Sequence, residues 1–373
     1  MLENRGYRIS CGCINDGNIW CTSYIGNMIL KISVESKSIE YVAGFEQEPS
    51  ITMGLYRAAE SNGDNVIFIP GYAKNVTIFN CNTKSMSCIN VEEYLPIVNT
   101  LRVISYYVFD NKLWLFPAAD VPTVIIDLDS YEIETDDSFA KIIRDYNKTK
   151  IISLGRHLAV NNERIIYAAG KENYFIDYNL INRCGKLIEL PSDIAMGGDI
   201  VLNNDEVWFS RCGFKGIGKY NIITNQLDLY DYDIDSSLLK KNVRTGDNRL
   251  KAQPFQNMIL LGDYLWLLPL NTNCIVKFNI KNNKFEIAYK INGTGMDSEC
   301  FDNFWTSLGS VVSGNKIFIM PYCYNRMIEI DTGSGNVSEF GLSYDKTLAN
   351  KYSGCEDVIN LQDYIDMLVK CRW

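Results

Sequence analysis

Short apolar runs of four to six residues recur along the chain, each bounded by Asn, Gly, Asp or Ser, and seven of them carry a bulky landmark: Trp20, Ile67, Trp114, Tyr167, Trp208, Trp266 and Phe318. Runs of that length with such punctuation predict strands joined by tight turns rather than helices. Around each landmark one order repeats: a strand, an Asn- or Gly-bearing turn, a second strand ending in Asn or Asp, a polar turn and a third strand. LWLFPAADVPTVIIDLDSYEIET and LWLLPLNTNCIVKFNIKNNKFEIA show it plainly; VIFIPGYAKNVTIFNCNTKSMSCI and IIYAAGKENYFIDYNLINRCGKLIEL fit with one-residue adjustments. One more apolar run precedes each landmark, such as LRVISYYVF or NMILLG, across a tight turn like Asp110-Asn111 or Gly262-Asp263. Each unit therefore holds four strands.

The landmarks stand 41 to 58 residues apart, so the excess over a unit of about 40 falls in connections. Seven four-stranded units of this length predict an all-β fold, a seven-bladed β-propeller of antiparallel blades, whose radial closure leaves only short sheet edges. The expected boundaries are a propeller over 1–343 with blades at about 7–45, 51–94, 98–139, 148–191, 193–233, 252–291 and 303–342, and a helical tail over 344–373 packed on it. A six-bladed count would discard the degenerate Tyr167 copy, and assembly of one blade from both chain ends stays open. Pro70, Pro117, Pro269 and Pro321 follow the second strand in four copies, marking where it leaves the sheet, because Pro donates no ladder bond. Long connections at 136–150, 233–254 and 292–304 are places for function or plain insertions. Leu361, Tyr364, Ile365 and Leu368 share one helical face within 356–370, which predicts an amphipathic helix covering the propeller's underside or the joint between first and last blades, or docking a partner.

Composition narrows the partners. With 373 residues, 47% hydrophobic, 22% charged and a net charge of -9, the chain can bury a large core and has no disordered tract. An acidic surface argues against nonspecific nucleic-acid or anionic-membrane partners. No secretory signal opens MLENRGYRIS and no run of about 18 apolar residues spans a bilayer, so the expected place is cytoplasmic. Twelve cysteines include no CxxC and read as small packed hydrophobes; Cys81 and Cys88 flank a hairpin turn and would pair only in an oxidising compartment.

Local catalytic motifs are missing: no GxSxG, HExxH, P-loop or dinucleotide fingerprint occurs, and a single histidine, His157, rules out a poly-imidazole metal cage. No cofactor and no metal are expected; the Asn292–Glu299 loop, with glycines and two carboxylates, lacks EF-hand spacing. The register does select arginines. Arg8, Arg57, Arg102 and Arg156 stand 12, 10, 12 and 11 residues before their landmarks, at nearly one level of the channel. Converging guanidiniums are relieved by an anion accepting bidentate bonds, or else each Arg pairs with an acid of its own blade. Loops beyond the Pro positions add Tyr24, Tyr72, Lys74, Arg211, Lys215, Tyr322, Tyr324 and Arg326 to that face, and Trp305 offers a stacking platform. The basic residues gather in blades one to four and apolar or aromatic ones in five to seven, which favours a ligand with an acidic end and a less polar end.

The repeated strand, turn and "YN-φ-x-x-N" hairpin resemble bacterial seven-bladed propellers with NHL-type and virginiamycin-lyase-like repeats over roughly residues 7–342. The resemblance implies architecture; those lyases rely on a histidine-rich metal site, and one His departs from that pattern. Three readings follow. One is a binding module for an anionic glycan, peptide or metabolite at an Arg-rich channel mouth. The second is a metal-independent lyase or isomerase for an acidic sugar or peptide, with His157 or Tyr322 abstracting a proton. The third is a protein-interaction scaffold using the rim and tail.

Overall fold

The computed structural model of this chain describes residues 7–49, 54–97, 102–117, 120–146, 158–168, 172–212, 215–234, 254–270, 272–291, 309–322 and 324–356. Seven antiparallel sheets form, each from four consecutive strands. Blade 1 holds β1 (Ile9–Asn15), β2 (Asn18–Ser23), β3 (Ile29–Ser33) and β4 (Ser38–Ala43). Blade 2 holds β5 (Tyr56–Asn62), β6 (Asn65–Pro70), β7 (Asn75–Asn80) and β8 (Met86–Asn90); blade 3 holds β9 (Val103–Phe109), β10 (Lys112–Pro117), β11 (Thr123–Asp127) and β12 (Ile133–Asp136). Blade 4 holds β13 (Leu158–Asn161), β14 (Arg164–Ala168), β15 (Tyr174–Asn179) and β16 (Cys184–Glu189); blade 5 holds β17 (Met196–Asn203), β18 (Glu206–Arg211), β19 (Ile217–Asn221) and β20 (Leu227–Tyr230). Blade 6 holds β21 (Phe255–Leu261), β22 (Tyr264–Pro269), β23 (Cys274–Asn279) and β24 (Lys284–Lys290), and blade 7 holds β25 (Ser310–Ser313), β26 (Lys316–Ile319), β27 (Arg326–Asp331) and β28 (Asn336–Gly341).

The landmark pattern has a direct packing cause. Trp20, Ile67, Trp114, Trp208, Trp266 and Phe318 each enter the apolar layer against the following blade, so the hydrophobic core is a ring of wedges rather than one mass. Tyr167 breaks this rule and packs toward blade 3, while Ile166 enters the layer shared with blade 5. Ladder pairing explains it: Ile166 faces Ala159 where Trp20 faces Cys13, so the blade 4 landmark is one residue earlier than the sequence alignment put it. A one-residue shift turns a strand side chain to the opposite face.

Turn chemistry repeats as well. The third strands of blades 2 to 7 end in Asn80, Asp127, Asn179, Asn221, Asn279 and Asp331, whose side-chain oxygens accept N–H bonds from the next turn; Asn221 Oδ1 takes those of Ile223 and Thr224 at 3.0 and 2.9 Å. Four residues on, Lys84, Tyr131, Arg183, Asn225, Asn283 and Gly335 all adopt positive φ. Such side-chain turns orient the hairpin before any tertiary contact forms. The prolines also act as their chemistry requires: Pro70 still faces Tyr56 of the inner strand, but the β6–β7 ladder has ended at Phe68.

The chain ends meet. β29 (Ser343–Tyr344) adds to the outer edge of β4 in parallel, Ser343 opposite Ser38 and Tyr344 opposite Ile39, giving blade 1 a fifth strand. Each blade is still continuous in sequence. The Tyr7 hydroxyl donates to the Leu342 carbonyl at 2.8 Å, and the Tyr352 hydroxyl to the Tyr7 carbonyl. Tyr352 and Leu348 belong to a helix, α2 (Lys346–Glu356), which buries both against blades 1 and 7. The tail helix that the sequence spacing places at 356–370 lies, beyond residue 356, outside the described residues. A second helix, α1 (Ser138–Asp145), fills part of the 136–150 connection by burying Phe139, Ala140 and Ile143 beside blade 4. Cys81 and Cys88 are unlinked: Cys88 stands opposite Thr77, and Cys81 lies beyond the end of β7, so they do not face each other as the sequence reading allowed.

Candidate functional site

The first strand of each blade is the inner one, ending its sheet on the side of the central channel. In five blades this strand carries an irregularity near its start, between Ile9 and Cys11, Tyr56 and Ala58, Val103 and Ser105, Met196 and Ile200, and Phe255 and Met258. An inserted residue bends a strand and re-aims its side chain. Ladder pairing makes Ile9, Tyr56 and Val103 equivalent, each opposite the residue three after its landmark. Arg8 and Arg102 therefore share one position, just before the strand. Arg57 is the inserted residue itself.

That difference of two positions separates their fates. Arg102 is buried, donating from Nη1 to the Leu95 carbonyl at 2.7 Å and pairing from Nη2 with Glu92 at 3.3 Å. Glu48 stands near it and accepts the Lys74 and Asn75 N–H groups; burial outweighs these bonds and pushes its carboxyl up. Arg102 thus serves the joint between blades. Arg8, also buried, lies 5.6 Å over the Tyr322 ring. Tyr24 meets Tyr322 edge-on at 5.8 Å, and the Tyr72 N–H bonds the Gly54 carbonyl at 3.1 Å, where a Cβ on Gly71 would come within 2.4 Å of that oxygen. Arg8, Tyr24 and Tyr322 are therefore brought together at one packed joint. Tyr322 is fully buried there.

Other basic candidates are tied locally. Arg211 pairs with Asp231 at 2.6 Å and bonds the Lys215 carbonyl at 2.8 Å, leaving the Lys215 side chain exposed. Arg326 lies 3.4 Å from Glu339, which also accepts the Tyr324 hydroxyl; burial first, then Glu339, pushes the Tyr324 phenol up. Tyr324 and Arg326 thus belong to the seam between blades 6 and 7. Arg156, His157 and Trp305 lie outside the described residues. Counted from Ile166, Arg156 stands ten residues upstream, as Arg57 does from Ile67.

Arg57 lines a cavity of about 360 Å³ formed by the inner strands of blades 2, 3 and 4. Glu60 and Ser105 add polar atoms, Tyr106 and Tyr107 add phenols, and Ile69, Val103, Ile104, Val108, Leu158 and Val160 add aliphatic surface. The Tyr106 hydroxyl lies 3.1 Å from Glu60 Oε2, and burial followed by the Glu60 charge pushes the Tyr107 phenol up. Arg57 and Glu60 both have neighbouring partners. Sequence reasoning found Arg57 but missed Glu60, Tyr106 and Tyr107; consecutive residues such as Tyr106 and Tyr107 turn to opposite faces of β9, so alternation does not join them. Among the described residues no group of three His, Cys, Asp or Glu side chains is set to hold a metal ion.

The fold is a seven-bladed propeller, similar to the solved structures of virginiamycin B lyase from Staphylococcus aureus and of a streptogramin B lyase. A catalytically inactive virginiamycin B lyase from Staphylococcus aureus with quinupristin is 14% identical at a TM-score of 0.60, covering 91% of this chain and 96% of that one. YCF48 bound to a D1 peptide is 7% identical at 0.57, covering 86% and 92%, and BamB from Moraxella catarrhalis 12% identical at 0.50, covering 90% and 85%. At these identities the likeness is one of fold. No protein-family model and no curated protein matches the sequence. Among the described residues no helix is long and apolar enough to cross a membrane.

Proposed function

We propose that this chain is a ligand-binding propeller that holds an anionic group of its ligand, whether glycan, peptide or metabolite, against Arg57 in the channel cavity between blades 2, 3 and 4. The observation that supports the reading is that Arg57, the inserted residue of β5, lines a cavity of about 360 Å³ walled by three separate blades. Concave, mostly apolar sites of this size with a few convergent polar groups are the usual form of ligand pockets. Structures of the same fold that contain quinupristin or a D1 peptide support a binding role, although a shared fold does not carry a ligand across.

Calorimetric titration with uronates, sulfated sugars, phosphosugars and acidic peptides tests the reading. One class is expected to bind saturably, more weakly as salt rises, and about 10- to 100-fold more weakly to Arg57→Ala, the range for a lost charge-assisted bond. A flat response across the panel removes the proposal.

A further inference from the structure

We infer that the channel cavity takes a small zwitterion with an apolar body, of which an apolar dipeptide is the simplest example; this rests on the channel reading above and narrows its ligand. Size comes first. A cavity of about 360 Å³ lies at the lower end of the range of small-molecule sites. The wall comes second. Ile69, Val103 and Ile104 back the cavity from the buried wedges, and Val108, Leu158 and Val160 are the more accessible aliphatic residues of its lining. An alkyl or aryl group of a ligand gains by covering that aliphatic surface, while its polar ends meet the polar groups of the same cavity.

Charge decides the ends. Arg57 and Glu60 lie on the same strand, opposite in sign, and both line the cavity. A phosphate or sulfate attracted by Arg57 also meets the Glu60 carboxylate. A ligand carrying one carboxylate and one ammonium satisfies both. Neither residue is vacant, since Glu60 already takes the Tyr106 hydroxyl. A carboxylate nevertheless has about four acceptor sites and a guanidinium five N–H donors, so the ligand's ends extend this network rather than replace it.

The test titrates leucyl-phenylalanine, its N-acetyl form, its C-terminal amide, galacturonate and glucose 6-phosphate into the full chain and into Arg57→Gln and Glu60→Gln, with circular dichroism confirming that both variants fold. The free dipeptide is expected to bind, and each blocked form to bind about 10- to 100-fold more weakly. Glu60→Gln should erase the difference between free and N-acetyl peptide, and Arg57→Gln that between acid and amide. Preferential, Arg57-dependent binding of galacturonate or glucose 6-phosphate overturns the zwitterion and leaves the channel site standing. Saturable binding by none of the probes overturns the zwitterion, and binding indifferent to both substitutions overturns both.

Discussion

At the residue scale, the repeat is held by a few local devices. In blades 1, 5 and 6 a Trp is crossed by a Lys of the next strand, which pairs with an acid of the outermost: Trp20–Lys31–Glu40, Trp208–Lys219–Asp228 and Trp266–Lys277–Glu286. Lys31 and Lys219 lie 5.9 and 5.5 Å over their indole rings, so the cation covers the exposed edge of the wedge. The side-chain turns are a second device, and they titrate. Turn N–H groups hold the Asp127 and Asp331 carboxyls below their ordinary range. A folded-state pKa below the unfolded one contributes stability above the unfolded value and loses it as pH falls through the folded one. The double variant Asp127→Asn/Asp331→Asn keeps the turn, as Asn does in four other blades, and should flatten the decline in urea-melt stability between about pH 5 and pH 2. Gly335, at φ +74, has no atom within 4 Å of a built Cβ, so Gly335→Ala is a pure backbone test. About 1 kcal/mol of destabilisation in thermal melts is expected. The turn residues were legible in the sequence because they act locally.

At the element scale, the inner strands show what spacing could not reveal. Arg8, Arg57 and Arg102 fall within two residues of one level, yet the inserted residue in β5 sends only Arg57 to the cavity, while Arg102 is engaged by Glu92 and the Leu95 carbonyl. An extra residue leaves no periodic trace in an apolar run, because both of its neighbours remain apolar. Blade 4 shows the converse error: Tyr167 is the bulkier residue, but Ile166 holds the equivalent ladder place. α1 escaped notice because its buried set is only Phe139, Ala140 and Ile143, too brief for a helical period. α2 is likewise defined by what it covers. Leu348 is fully buried between blades 1 and 7, and Leu348→Ala should cost about 2 to 5 kcal/mol in denaturant melts if that seal contributes as a core does.

At the scale of the whole molecule, seven apolar wedges between blades replace a single core, and the ring must be closed where the chain begins and ends. β29 on β4, Tyr7 to Leu342 and Tyr352 to Tyr7 provide that closure. A chain stopped at Leu342 should therefore melt well below the full chain, and by more than Leu348→Ala lowers it; an unchanged Tm would mean that the wedge between blades 7 and 1 suffices. The amino-acid order by itself determined the strands, their hairpins and the sevenfold count, since alternation, prolines and side-chain turns act within one blade and need no distant contact. Only the tertiary structure decided which of Arg8, Arg57 and Arg102 lines the cavity, what covers the last blade and which tyrosines stand beside that cavity, because each depends on strand register and on side chains that meet only when separate blades close around one axis.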